Sequence, residues 1–135
     1  MATIFSKIIS GEIPSYKIAE NDHFFAFLDI NPLAKGHTLV VPKQETDYFF
    51  DLEDDLLSEM IIFSKHVAKA LEKVISCKRI GVTVIGLEVP HAHIHLVPIS
   101  KESDIYFNSP RIKLEKEEFE KLAEEISFQF RQLKH

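Results

Sequence analysis

Apolar residues along the chain recur in two rhythms, and the changes between them mark out the elements. Ile4, Phe5, Ile8 and Ile9 stand one helical turn apart and are followed by Gly11 and Pro14, which predicts a short amphipathic helix over 3–10. Tyr16–Glu20 and Phe24–Asp29 read as two strands joined by an Asn21-Asp22 turn. Ile30-Asn31-Pro32 breaks the second strand, and Lys35-Gly36 leads into a third, His37–Val41, stopped by Pro42. From about Leu52 to Ser76 the period lengthens. Leu56, Met60, Phe63, Val67, Ala70, Leu71 and Val74 recur every three or four residues, the spacing of a long amphipathic helix. Two β-rich runs follow, Ile80–Ile85 and His91–Ile99, and then a looser polar stretch over 100–114. A last helix carries Phe119, Leu122, Ile126, Phe130 and Leu133 on one face and opens on Glu115, Glu117 and Glu118, the charge a helix N-terminus favours. Strands on short turns, a helix, more strands and a final helix predict an α+β domain with a mostly antiparallel sheet.

Length and charge narrow what such a domain does. A chain of 135 residues suits one domain, 1–135, with a core over about 3–99 and a C-terminal extension over about 100–135. Its net charge of −5 comes without any long basic run, which argues against nucleic acid or an anionic membrane as partner. A phosphorylated small molecule stays admissible, because pocket electrostatics are local. The single Cys77 removes disulfide frameworks and four-cysteine zinc sites, and weakly favours a reducing compartment. No run approaches the ~20 apolar residues of a membrane span, and no secretion signal opens the chain, so the expected location is cytoplasmic.

Three of the seven histidines fall in Pro90-His91-Ala92-His93-Ile94-His95-Leu96-Val97-Pro98. On a strand, His91, His93 and His95 share one face. Three imidazoles side by side carry a burial and repulsion cost that a sheet would not gather without a use. Neighbouring positions on that face lie ~6.7 Å apart and the outer pair ~13 Å, so one straight strand does not deliver all three to a single metal ion. A zinc site would need His37 with two triad members. Attack on phosphorus uses all three: a neutral imidazole is a nucleophile near pH 7, and its neighbours serve phosphate oxygens and leaving group.

His91-x-His93-x-His95 resembles the signature of the histidine triad (HIT) superfamily. The likeness extends along the chain. Thr3-Ile4-Phe5-Ser6-Lys7-Ile8-Ile9-Ser10-Gly11-Glu12-Ile13-Pro14 is similar to the opening of its Hint-like branch. Phe25-Ala26-Phe27-Leu28-Asp29-Ile30-Asn31-Pro32 and Gly36-His37-Thr38-Leu39-Val40-Val41-Pro42-Lys43 resemble its middle strands. The resemblance implies a HIT-like fold with a five-stranded sheet, a homodimer in which two such sheets join, and a purine nucleotide as small-molecule substrate. It implies cleavage at the α-phosphate of a nucleoside phosphoramidate or related nucleotidyl conjugate through a nucleotidyl-histidine.

By that resemblance His93 is the nucleophile, His95 lies near the scissile bond, and His91 and His37 support the cluster. Asp29 matches the ribose-binding carboxylate, with an Asx turn before Asn31-Pro32 as the plainer alternative. Phe5, Ile8 and Ile30 match the lining of the base pocket, against ordinary core packing. His23, His66 and His135 are expected to face water. No cofactor is implied. Where many members carry a zinc-binding Cys-x-x-Cys, this chain has Thr3 and Ser6, so no metal is expected. The loop Gly86-Leu87-Glu88-Val89-Pro90 looks shorter than is usual, with Glu88 where Ser or Thr is common and without the Gln of the dinucleoside-polyphosphate branch. Two other classes remain, a nucleotide sensor without turnover and a zinc-dependent hydrolase.

Overall fold

The structure, a computed structural model, describes residues 2–133. Its elements run α1 (Ile4–Ser10), β1 (Lys17–Glu20), β2 (Phe24–Leu28), β3 (Thr38–Pro42), α2 (Asp54–Val74), β4 (Arg79–Thr83), β5 (Ile94–Ile99) and α3 (Lys116–Gln132). Short 3-10 turns at Phe49–Asp51 and Glu102–Ile105 lead into α2 and away from β5. The five strands form one antiparallel sheet in the order β1-β2-β3-β5-β4.

Alternation along the strands divides the interior into two layers. Phe24, Ala26, Leu28, Val40, Ile94 and Leu96 point to the face covered by the long helices. There they meet Met60, Phe63, Val67, Ala70 and Leu71 of α2 and Phe119, Leu122, Ala123 and Ile126 of α3. Tyr16 stacks on Phe119 with ring centroids 4.8 Å apart, tying the C-terminal helix to the sheet's first edge. The 3.6-residue stripe read from the sequence is the stripe that is buried.

Phe25, Phe27, Leu39 and Val41 point to the other face, where α1 packs through Phe5 with Ile8 and Ile9 beside it. Thr3 starts that helix: its hydroxyl oxygen accepts the Ser6 N–H at 3.0 Å. Such a cap contributes about 1 kcal/mol. Asn21 builds the first hairpin by accepting from the His23 and Phe24 amides at 2.9 and 2.8 Å.

The last strand differs from the reading of the sequence. Its ladder was expected from His91, yet it begins at Ile94, leaving His91 and His93 ahead of the strand. Register explains this. Val40 pairs with Ile94, so the next rungs would fall on Val41 and Pro42, and Pro42 has no N–H to give. The Pro42 carbonyl accepts a side chain instead, from His91. The β2 and β3 boundaries shift by one residue for a similar local reason. Asp29 leaves the strand to turn the chain, and His37 closes that turn, accepting the Asp29 N–H at 2.9 Å and donating to Ala34 O at 3.0 Å.

Candidate active site

The face carrying α1 also carries the imidazoles. Leu39 lies opposite His95, and Thr83 flanks His95 on the far side, so His95 projects from the middle of the sheet. The alternation persists past the end of the ladder. Ala92 is buried with the helix layer, which leaves His93 on the same side as His95. Gly36, at φ 95, aims the chain into His37; a Cβ there would lie 3.0 Å from Ile75 and strain the backbone as well.

Ring contacts order the cluster. His37 and His95 centroids lie 5.3 Å apart and His95 and His93 4.9 Å apart. Phe5 stands edge-on to His93 at 5.0 Å and to His91 at 5.7 Å. His93, His95 and His37 therefore form a continuous row, with His91 behind Phe5. His91 is fully buried, His37 is 1 % exposed, and His93 and His95 each keep 7 %. His93 also lines a cavity of about 480 Å³ together with Tyr48, Phe50, Val84 and Ile85.

Hydrogen bonds fix the proton on each neutral ring. Leu33 N–H donates to His37 Nδ1 at 3.0 Å, so the His37 proton sits on Nε2. That Nε2–H faces His95 Nδ1 at 3.0 Å, which places the His95 proton on Nε2. His93 donates from Nδ1 to the His91 carbonyl at 2.8 Å, leaving a lone pair on Nε2. His91 donates from Nε2 to Pro42 O at 2.7 Å, and its Nδ1 takes the Thr3 hydroxyl at 2.7 Å. One ring thus presents an unprotonated nitrogen beside another that carries an N–H. Both ring nitrogens of His91 are spent on the protein.

Burial keeps the row uncharged. It pushes the pKa values of His37 and His95 down to about 3, with Arg111 adding to both and neighbouring imidazoles adding to His95. Burial also lowers His93, against an opposing pull from the His91 carbonyl. Asp29 goes the other way: burial raises its pKa, while its turn bond and Arg111 hold it down.

Asp29 does form the Asx turn, accepting the Asn31 N–H at 2.8 Å through Oδ1. Its Oδ2 lies 3.6 Å from His37 Nε2, beside the row. Ile30 is 73 % exposed, Phe5 is buried against His93, and Ile8 is half-buried in the same layer. Glu88 is exposed. His23 faces water as expected, whereas His66 is half-buried, because α2 turns it toward Phe63 and Phe130 in the groove beside α3. His135 lies outside the described residues.

Two contributors escaped the sequence reading. Phe107, from the polar 100–114 stretch, stands edge-on to His95 at 4.7 Å and to His37 at 6.3 Å. Arg111 covers the Phe107 ring at 5.2 Å and donates to Asn31 O at 2.9 Å, fastening that stretch to the Asp29 turn. An aromatic and an arginine four residues apart in a polar run carry no periodic signal. The second contributor is a cluster at the start of α1. Glu45 accepts the Ser6 hydroxyl, and the Thr3 N–H at 3.3 Å, beside the Thr3–His91 bond.

Neutral histidines in a row on a five-stranded antiparallel sheet define a histidine-triad architecture, and comparison with known proteins agrees. The HIT domain family model matches residues 10–102, and the chain belongs to the HIT family. An uncharacterized HIT-like protein of Borreliella burgdorferi is 37% identical, over 92% of this chain and 95% of its own. An adenosine 5′-monophosphoramidase of Schizosaccharomyces pombe is 35% identical over 94% of this chain and 97% of its own. Among solved structures, a Hit-like protein of Bartonella henselae superposes with a TM-score of 0.80 at 32% identity, covering 94% and 95% of the two chains. A zinc-bound histidine triad protein of Mycobacterium smegmatis gives 0.83 at 25% identity, covering 98% and 95%.

Zinc finds a poor donor set around Thr3 and Ser6 here: two hydroxyls, one carboxylate and a His91 nitrogen already bonded to Thr3. Asp29, His37 and His95 offer ligand atoms within 4.8 Å of one another, of types zinc accepts. An ion there would have to separate His37 Nε2 from His95 Nδ1. Among the described residues, no helix is long and apolar enough to cross a membrane.

Proposed function

We propose that the protein is a nucleotidyl hydrolase that cleaves the P–N bond of a purine nucleoside 5′-phosphoramidate through a covalent histidine intermediate. The observation that carries this reading is the complementary protonation of two adjacent rings. His93 Nε2 holds a lone pair because Nδ1–H is committed to the His91 carbonyl, while His95 Nε2 holds a proton because Nδ1 accepts from His37. His93 Nε2 attacks the α-phosphorus of the N-protonated phosphoramidate as the P–N bond breaks, and the neutral amine departs with the bonding pair while His95 Nε2–H donates a hydrogen bond to a phosphate oxygen. Water then attacks the nucleotidyl-histidine, its proton passes to solvent with the released nucleoside monophosphate, and the bonding pair returns to His93 Nε2. Neutral rings suit an anionic substrate whose charge is met by hydrogen-bond donors. The Asp29 oxygen outside the turn bond accepts from ribose hydroxyls, and Ile30, Phe5 and Ile8 line the base. The two fungal relatives named adenosine 5′-monophosphoramidase, 35% and 39% identical, support the substrate class.

The decisive measurement is AMP release from adenosine 5′-phosphoramidate by the wild type and His93→Ala. Turnover by the wild type alone supports the assignment, and equal turnover by both removes His93 as nucleophile. Chelation separates this reading from a zinc-dependent one. No step above calls on an ion, so EDTA leaves the rate unchanged; loss of stoichiometric zinc with activity would move the chemistry to Asp29, His37 and His95. Tight AMP binding without turnover would favour a sensor. The protein assembles, in this proposal, as a homodimer through the open edge of β4. Val82 is 59% exposed on that edge, and Ile61 and Ile62 of α2 are 50% and 54% exposed. Sedimentation of the wild type against Val82→Lys tests it.

A further inference from the structure

The residue that would attack phosphorus does not sit on a strand. His91, Ala92 and His93 precede the first rung of β5, so no ladder holds their backbone. Four hydrogen bonds do so instead. His91 N–H donates to Val89 O at 2.8 Å, Ala92 N–H donates to Thr46 O at 2.7 Å, and the His91 ring is pinned between the Thr3 hydroxyl and Pro42 O, each at 2.7 Å. The bond to Thr3 has the longest span, from the start of α1 to residue 91. The His91 carbonyl is in turn the acceptor that sets the tautomer of His93.

Pro42 O only accepts, so an imidazole with one hydrogen at residue 91 carries it on Nε2 and receives another at Nδ1. Thr3 supplies that hydrogen. Its hydroxyl oxygen also accepts the Ser6 N–H, so the Ser6 hydroxyl is left to donate to Glu45. Glu45 accepts the Thr3 N–H as well, and these two bonds hold its carboxyl below the usual range. A chain of hydrogen bonds thus runs from Glu45 through Ser6 and Thr3 into the buried ring behind the row.

We propose that Thr3, braced by Glu45 and Ser6, is a positioning residue for the reaction: it locks His91 so that the His91 carbonyl holds His93 with its Nε2 lone pair free. This rests on the reading of His93 as the nucleophile. Thr3 acts through its bond to the His91 ring; its cap on α1, which carries Phe5 against His93, is a second route that the glycine variant separates from the first. A loosened residue 91 lets the His93 ring exchange tautomers and swing away from the attack position, a misplacement that lowers turnover more than binding.

The test compares Thr3→Val, Thr3→Gly and Thr3→Ser on adenosine 5′-phosphoramidate, with imidazole ¹⁵N spectra of each protein taken without substrate. Valine keeps the shape and loses the hydroxyl. Glycine is tolerated at a helix cap almost as well as threonine, so it removes the His91 bond while sparing α1. Both are expected to lower kcat by about tenfold with KM little changed, and serine restores kcat to within about twofold because it keeps the donor. The spectra show a single Nδ1–H form of His93 in the wild type and a shift of its two nitrogens toward a common value in the valine and glycine variants. Glu45→Ala weakens kcat less than Thr3→Val. Unchanged kcat in both valine and glycine variants overturns the proposal. So does a loss that serine fails to restore, or one carried by KM, since either signals general damage to the fold. A wild type that releases no AMP counts against the substrate, and the His93 spectra then decide the coupling: tautomer mixing upholds it, an unchanged spectrum ends it.

Discussion

The two ends of the imidazole row are held by different physics. The inner pair, His95 on the sheet and His37 just ahead of β3, lies under Phe107, shielded from water and bonded ring to ring. The outer pair, His91 and His93, lies beyond the ladder and is fixed by bonds to a hydroxyl and to two backbone carbonyls. Burial and packing set the inner end, and directional bonds set the outer one. The difference assigns the work: a rigid, desolvated donor at one end, and a ring at the other whose lone pair depends on what its far nitrogen touches.

Removing one ring from each end should give unequal losses. His93→Ala takes away the atom that forms the covalent bond, and kcat should fall by about a thousandfold or more. His37→Asn leaves the nucleophile in place but disturbs the donor to His95 Nδ1, so its proton is no longer confined to Nε2. The expected loss is about ten- to a hundredfold in kcat, read in the same AMP-release assay. Equal losses would show that the two ends act as one unit.

Acid separates the ends through stability. His37 and His95 have folded pKa values of about 3 against an ordinary 6.5. Between those limits the unfolded chain binds protons that the folded protein refuses, so stability falls as pH drops from about 6.5 toward 3. The slope is at most about 1.4 kcal/mol per pH unit for each histidine. Urea midpoints at pH 7 and pH 5 measure it, and the drop should shrink in His37→Asn. An unchanged drop would place the acid sensitivity elsewhere.

This contrast also explains what the sequence disclosed. Period-2 and period-3.6 patterns record burial, so the strands, α2 and α3 and the inner His95 were legible to within a residue or two. The start of β5 was not, because the strand stops short where Pro42 cannot donate, a property of the neighbouring strand rather than of the histidine segment. His93 kept its side of the sheet only because Ala92 stays buried on the other. Thr3 was marked only as a departure from a cysteine pair, and its bond to His91 and the part of Glu45 were beyond reach for another reason: a hydrogen bond spanning 88 residues leaves no periodic trace. Phe107 and Arg111 sat in a polar stretch whose place over the row is set by tertiary contacts.

Phe107 probes how much of the inner end's character is exclusion of water. The ring is half-buried, so Phe107→Ala should cost about 1–2 kcal/mol of stability. Its more telling effect is electrostatic. With the ring gone, water reaches His95, desolvation weakens, and the His95 pKa rises toward its ordinary value. The His95 ring, followed by its NMR titration, then takes up a proton at higher pH, while the acid limb of kcat, set by the ring that must be unprotonated, His93, stays. An acid limb that moves with it would mean the wall shelters both ends.

Arg111 should give the smallest effect and the sharpest division of roles. Its guanidinium donates to Asn31 O at 2.9 Å and lies over Phe107, so it ties the Asp29 turn to the wall without touching an imidazole. The bond is exposed, and Arg111→Gln should change stability by about 0.5–1 kcal/mol. Asp29 loses the cation that offsets its burial, and its turn loses an anchor. Both consequences fall on ribose binding, while the weaker depression of His37 and His95 leaves those rings neutral near pH 7, since burial is its larger cause. KM should therefore rise about two- to fivefold with kcat held nearly constant, and 2′-deoxy substrate, which offers Asp29 one hydroxyl fewer, should feel the substitution less. A fall in kcat instead would place Arg111 in contact with the developing charge, and the division between a buried donor end and a bonded nucleophile end would have to admit a third group.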